Sequence, residues 1–370
     1  MTVKERVFGA LKGEMVDRVP FTCYAGLFPE NEREPLLSNG DIGLVNRVAL
    51  YNIQTPNIKT RSEDFWEGRE HKVRYIYETP VGSVYETLRT GGGYGSSLRY
   101  EFLIKSPEDY KVVEYMVRDR IQTPNYEGYL SAVKNMGDIG AVIGNVGYSP
   151  IQQMLVMYMG PEQFAIGYYE NRDLFDSLYN ALAEKDRELY KISADSPSDF
   201  FIYGDNTTSD MIGLERFVKY AIPCYNEFAD LLHAKGKKLG SHMDGNLQVL
   251  KHEIAKFGLD FLEAFTPSPM FDVTLKDALT TWKNKVMWIN FTSNFHISSP
   301  EAIRDHTLDL LRQSYPGNRF LISITENVPD DCRKRSFEVI AQTLKEYGNL
   351  PLMMEPSKDA SRFRASMERL

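Results

Sequence analysis

The chain has 370 residues, of which 42% are hydrophobic, 12% aromatic and 25% charged; this composition excludes disorder, collagen-like repeats and coiled coil, and leaves one large α/β barrel or two average domains. Forty-three Lys and Arg against 51 Asp and Glu give a net charge of −8, so no broad positive field attracts a phosphate backbone and nucleic acid is not an expected partner. Apolar runs are short and interrupted, and Met1-Thr-Val-Lys-Glu-Arg opens a charged amphipathic stretch without the apolar segment of a signal peptide, so no membrane span and a cytoplasmic location are expected.

Taken in chain order, an amphipathic helix precedes a first strand over residues 18–25, and residues 56–61 supply a second. Residues 71–104 differ from the rest. They alternate polar and apolar side chains around a Pro80/Gly82 turn and read as an antiparallel β-hairpin inserted near the end of the N-terminal third. The run Gly91-Gly-Gly-Tyr-Gly lacks the Lys-Ser/Thr ending of a phosphate cradle and reads as a loop. From residue 141 onward, β-branched or aromatic runs alternate with longer segments of helical period, the pattern of repeated βα units. The strands are expected over 141–147, 200–206, 238–244, 261–266, 286–291 and 320–325. Helices are expected over 214–234, with a kink at Pro223, and over 247–257, 300–314 and 334–347; Gly236 stands where a left-handed cap is wanted. With the two upstream strands the count reaches eight, which closes a (β/α)8 TIM barrel, so residues 1–370 are expected to form a single barrel domain with the 71–104 insertion.

A parallel barrel gathers its chemistry where the strands end, because the βα loops converge there. Strand ends supply Asp205 and Asn206, then His242 and Asp244, Glu263, Asn290 and Asn294, and Glu326. His242 and Asp244 are two apart on one strand and project to the same face. With Glu263 and Glu326 they form one imidazole and three carboxylates that could converge on a metal ion or on a substrate's polar groups. Each acid taken singly has a plain alternative, as Asp244 could cap a helix starting near Asn246. A loop histidine such as His296 is more often solvated than catalytic. Cys23, Cys224 and Cys332 are odd in number and far apart, which argues against a disulfide framework; Cys332 sits near a helix start but reads best as a core thiol.

Four stretches resemble one family: Glu5-Arg-Val-Phe-Gly-Ala-Leu-Lys-Gly-Glu-Met-Val-Asp-Arg-Val-Pro-Phe; Tyr203-Gly-Asp-Asn with Phe217, Pro223 and His233-Ala-Lys-Gly; Ser241-His-Met-Asp-Gly-Asn with Gly258-Leu-Asp-Phe-Leu-Glu; and Thr325-Glu-Asn-Val-Pro. Together they are similar to the uroporphyrinogen decarboxylase superfamily, in the branch containing corrinoid-dependent methyltransferases. The resemblance implies the barrel and a methyltransferase that moves a methyl group from a small methylated donor, such as a methyl ether, to a corrinoid carried on a partner protein. The alternative it implies is a decarboxylase or lyase acting on a non-porphyrin substrate. Uroporphyrinogen itself is disfavoured, because Phe21-Thr-Cys-Tyr-Ala-Gly-Leu-Phe-Pro-Glu contains no arginine where decarboxylases carry guanidinium groups for a polycarboxylate, and Glu30 and Glu32 would repel it.

By position, His242 matches the His and Asp244 the first Cys of the methyltransferases' His-x-Cys zinc motif, Glu263 a further Glu ligand and Glu326 the second Cys. The resemblance therefore implies a divalent metal, zinc, on His242, Asp244, Glu263 and Glu326, with oxygen in place of sulfur, a set that also admits Fe²⁺, Mn²⁺ or Mg²⁺. It also implies Asp244 as ligand or general acid, Asp205 and Asn206 as substrate-orienting groups, an apolar pocket shaped by Tyr24, Phe265, Trp288 and Phe291, and a homodimer. No stretch of the chain carries the Asp-x-His-x-x-Gly motif of a cobalamin domain, so the corrinoid belongs to the partner.

Overall fold

The computed structural model describes residues 1–91 and 97–353; beyond Gly91, the glycine-rich run lies outside them. Eight parallel strands close a barrel: β1 (Phe21–Tyr24), β2 (Gly43–Ala49), β3 (Gly140–Asn145), β4 (Phe200–Tyr203), β5 (Lys238–His242), β6 (Phe261–Phe265), β7 (Val286–Asn290) and β8 (Phe320–Ile324). They follow one another around the barrel in chain order, β8 closing onto β1. Four of them, Phe-Phe-Ile-Tyr, Phe-Leu-Glu-Ala-Phe, Val-Met-Trp-Ile-Asn and Phe-Leu-Ile-Ser-Ile, are buried at every residue. Parallel strands covered on both faces need such runs, and their continuity made them readable in the sequence.

The second strand is the exception. Residues 56–61 do not enter the barrel; Gly43–Ala49 does, pairing with β1 through Thr22↔Gly43 and Tyr24↔Val45. Asn46 and Arg47 interrupt its apolar run and hid it. Residue 59 instead begins an almost wholly exposed strand, Lys59–Glu67, the first of a four-stranded antiparallel sheet with Glu70–Thr79, Gly82–Arg89 and Leu98–Glu101. The stretch expected to be a hairpin, 71–104, therefore carries three of the four strands of a larger sheet. Its turn is as expected: Thr79 pairs with Gly82 around Pro80-Val81, and Gly82 takes a positive φ of 141° that suits a residue without Cβ.

Compactness divides the chain into two units, one of Met1–Arg47, Ser131–Ile143 and Gly240 onward, the other of Val48–Leu130 and Gly144–Leu239. β2, β3 and β5 each begin in one unit and end in the other. Within the second, the helix around Pro223 is built as Leu214–Arg216, a π-helical turn Phe217–Ala221 and Ile222–His233. Proline has no N–H to give the preceding turn and clashes with its carbonyl, and widening that turn accommodates both defects. Gly236 follows with φ 72°, as its cap position requires.

In the first unit, the helix expected over 247–257 shortens to Gln248–Leu250 and Lys251–Ile254. Its start is held by Asp272, which accepts from the N–H groups of Leu247 (2.7 Å) and Gln248 (3.1 Å), so Asp244 is free of capping duty. The last two helices run Pro300–Ser314, capped by Ser299, and Asp330–Tyr347. All three cysteines are free and buried, and burial pushes Cys23 and Cys224 up to about 12. Cys332 is also raised, burial prevailing over the helix start. No described helix is long and apolar enough to cross a membrane.

Gly240, on β5, marks a close approach. A Cβ there would lie 2.1 Å from the Phe261 ring of β6. Gly240→Ala is expected to cost about 1–3 kcal/mol of stability in a urea melt, the usual penalty of overpacking, and an unchanged midpoint would show that β5 and β6 can part.

Candidate active site

β5 and β6 lie in register with His242 opposite Glu263, so the two side chains leave the same face of the sheet at the same level. His242 Nδ1 lies 2.7 Å from Glu263 Oε2, and its Nε2 lies 3.3 Å from Asp244 Oδ2, just past the strand. Tyr24, the last residue of β1, donates its phenol to the other Glu263 oxygen. Arg47, on β2, stacks its guanidinium 4.3 Å above the Tyr24 ring. The ladder slips by one residue directly after Glu263, where Ala264 takes the left-handed region at φ 53°. A bulge of this kind re-aims side chains, and an alanine held there stores about 1–2 kcal/mol of backbone strain.

The charges of this cluster balance. Glu263 is wholly shielded from water, and its burial would raise its carboxyl; the His242 charge and hydrogen bond, helped by Arg47 and the Tyr24 hydroxyl, hold it below its ordinary value instead. Burial likewise disfavours a charged His242, yet Glu263 and Asp244 together raise its imidazole to about 10. Tyr24 is pushed well above an ordinary phenol by burial and the Glu263 charge, so it is a neutral donor. The resulting order is phenol, carboxylate, imidazolium, carboxylate, with Asp244 the more exposed end. A proton is stored on His242, with Asp244 between it and solvent.

Three of the four side chains expected on a metal thus come together; Glu326 is exposed and accepts from Ser293 Oγ at 2.8 Å. As arranged, each ring nitrogen of His242 faces a carboxylate, and in the protonated ring both donate. Among the described residues no three His, Cys, Asp or Glu side chains converge on a point that could hold a metal ion. With His242 protonated the arrangement holds a proton at this point, and the same imidazole and two carboxylates become donors of a kind that suits a divalent cation once that proton is lost.

Asp205 and Asn206 belong to the second unit. Asp205 is buried and accepts from the Ser149 N–H and the Tyr225 hydroxyl, both at 2.7 Å, whereas Asn206 is exposed. His296 is a satisfied core histidine, bonded to Ser336 Oγ and to the Phe291 carbonyl, and burial lowers it to about 4. Asn290 is buried between Thr266 and the Thr325 N–H. Of the aromatics, Phe265 packs edge-on against Trp282, and Phe291 against Phe295 and His296. Trp288 sits opposite Glu263 in the β6–β7 register, with its indole N–H buried and unpartnered.

Sequence reasoning assigned Tyr24 only to pocket lining and missed Arg47. Tyr24's signal was its place at a strand end with a polar tip. Arg33, just past the arginine-free stretch, is spent on the carbonyls of Phe28 (2.8 Å) and Ala25 (2.9 Å).

A closed parallel barrel with a buried acid–imidazole cluster on its strand ends is a common enzyme plan. Residues 100–347 match the family model for uroporphyrinogen decarboxylase (URO-D), and the chain belongs to that family. Among solved structures it is similar to a methyltransferase from Methanosarcina mazei, with 12% identity and a TM-score of 0.58 over 94% of this chain and 99% of that one, a likeness of fold. No curated protein matches the sequence.

Proposed function

We propose that this chain is a methyltransferase that moves a methyl group from a small methyl ether to the corrinoid of a separate protein, with His242 as the general acid. The observation that carries the reading is the His242 ring held between buried Glu263 and half-exposed Asp244, whose carboxylates raise it to about 10. The methyl acceptor supplies the nucleophile for the methyl carbon. The chain's own task is the leaving oxygen, which departs poorly as an alkoxide or phenoxide and needs a proton as the C–O bond breaks.

His242 Nε2 holds that proton. In the resting arrangement Asp244 accepts it at 3.3 Å, a long contact that a donor oxygen can replace. Glu263 keeps the Nδ1 side charged and fixed throughout, and Tyr24 with Arg47 fixes Glu263. After transfer the imidazole is neutral between two carboxylates and regains a proton from solvent past Asp244.

The test is an assay of methyl-ether donors with and without a reduced corrinoid protein, on enzyme whose metal content has been measured. Demethylation that requires the corrinoid protein and survives chelation is expected. Release of CO₂ from an acid substrate without any corrinoid would replace this reading with a decarboxylase of the same family. About one metal ion per chain, lost with His242→Ala, would return His242 to the role of ligand.

A further inference from the structure

We propose that the second unit carries a separate binding site for a small aromatic monocarboxylate, in a cavity of about 200 Å³ walled by Arg120. Ile58, Val113, Met116 and Met157 give the cavity apolar sides, and Thr55 and Thr60, both exposed, stand at its opening. A dry cavity of roughly 150 Å³ is enough to hold benzene, so this one takes a ring and a carboxylate.

The charges on the wall do not cancel. Glu86 is used up: it pairs with Arg99 at 2.5 Å and accepts from the Tyr77 hydroxyl at 2.9 Å. Arg120 has no such partner. Its guanidinium donates to Gln153 Oε1 at 3.1 Å and to the Tyr158 hydroxyl, both neutral, and among the described residues no carboxylate lies within ion-pair distance of it. Asp119, its neighbour in sequence, turns away to bind the backbone and side-chain amides of Asn57 at 3.0 and 2.7 Å. A half-buried arginine in an apolar cavity with two neutral acceptors and spare N–H groups is built to receive an anion, and its planar fork suits a carboxylate.

The wall is also pre-set. Gln153 gives its amide N–H groups to Asp186, at 3.1 and 3.2 Å, and to the Tyr148 carbonyl, which fixes its oxygen toward Arg120. Burial pushes Asp186 up to about 7 against the Arg120 charge, so the carboxylate behind Gln153 compensates Arg120 only in part at neutral pH. Gln153, Met157 and Tyr158 all belong to a π-helical stretch, Gln153–Met159, a geometry that costs hydrogen-bond quality and recurs at functional sites. Asn57, anchored to Asp119, holds the segment that carries Ile58 across the cavity.

Titration calorimetry with benzoate tests the assignment, with benzamide as the uncharged probe of the same shape and inorganic phosphate as the anion without a ring. Benzoate is expected to bind one to one. Binding should weaken tenfold or more in Arg120→Gln, and benzamide should bind the unchanged protein tenfold or more weakly, the scale of a lost charged hydrogen-bond pair. Ile58→Trp, which fills the cavity from its mouth and spares the Gln153 and Tyr158 contacts, should abolish binding while leaving the circular dichroism spectrum intact. Phosphate should not displace benzoate. Equal affinity for benzoate and benzamide, undiminished binding in both variants, displacement by phosphate, or loss of binding on His242→Gln instead would each overturn the proposal. The site stands apart from the His242 reading and neither depends on the other.

Discussion

Glu263→Gln is expected to slow methyl transfer at pH 8 by about thirtyfold and to recover most of that rate at pH 6. In the unchanged protein the imidazole of His242 is raised to about 10, so its proton is in place throughout the neutral range and the rate should be flat on that limb. Glutamine keeps the volume of Glu263 and one hydrogen-bond acceptor where the carboxylate offers two, to Tyr24 and to His242, and removes the buried charge that opposes desolvation. The imidazole then falls toward its ordinary value of about 6.5, and the reactive protonated fraction shrinks as pH rises past it. The measurement is kcat against pH for both proteins. A variant slowed equally at pH 6 and pH 8 would show that Glu263 only holds the barrel together, and the acid role would fall.

The second large effect concerns stability. His242 binds its proton more tightly in the native state than in the unfolded chain, so its contribution is complete below about pH 6.5 and is lost as pH climbs toward 10. Glu263, held below its ordinary value, contributes with the opposite limb, present above about pH 4.5 and lost in acid. Buried Lys285 works against His242 at high pH. It is pushed down to about 8, so the native state sheds that proton before the unfolded chain does and gains stability between about 8 and 10.5. A double variant, His242→Gln with Glu263→Gln, keeps Lys285 and removes only the pair. Urea melts of both proteins should show their difference changing, to the disadvantage of the natural chain, by a few kcal/mol between pH 6 and 10. A difference that stays constant with pH would mean that no ionised pair is buried there.

How far the sequence carried these conclusions depended on the kind of signal each residue leaves. Strands buried on both faces announce themselves as unbroken apolar runs, and β3 to β8 were all placed to within a few residues. β2 was lost because Arg47, whose guanidinium lies on the Tyr24 ring, sits in the middle of it and breaks the run. The residue that stacks on Tyr24 thus broke the structural signal. His242, Asp244 and Glu263 were legible because two alternate on one strand and the third ends the next, spacing that the pleat converts into a shared face. Glu326 has the same strand-end signature but turns to Ser293, a choice made by loop conformation and not by spacing. The partnership of Tyr24 with Glu263 spans 239 positions of sequence and follows only once barrel closure brings β1 onto β8. Arg120 was invisible for another reason: nothing in a sequence distinguishes an arginine with a carboxylate partner from one without.

Glu263 resides inside a strand, shielded from water, while Asp244 and the groups that follow each strand occupy connecting segments. Tyr24, Arg47 and Glu263, which hold the imidazole, all stand on barrel strands. On the proposed reading, a change in a connecting segment would leave the strand residues that hold the His242 proton in place. On that reading, the proton source belongs to the strands and the choice of substrate to the segments that join them.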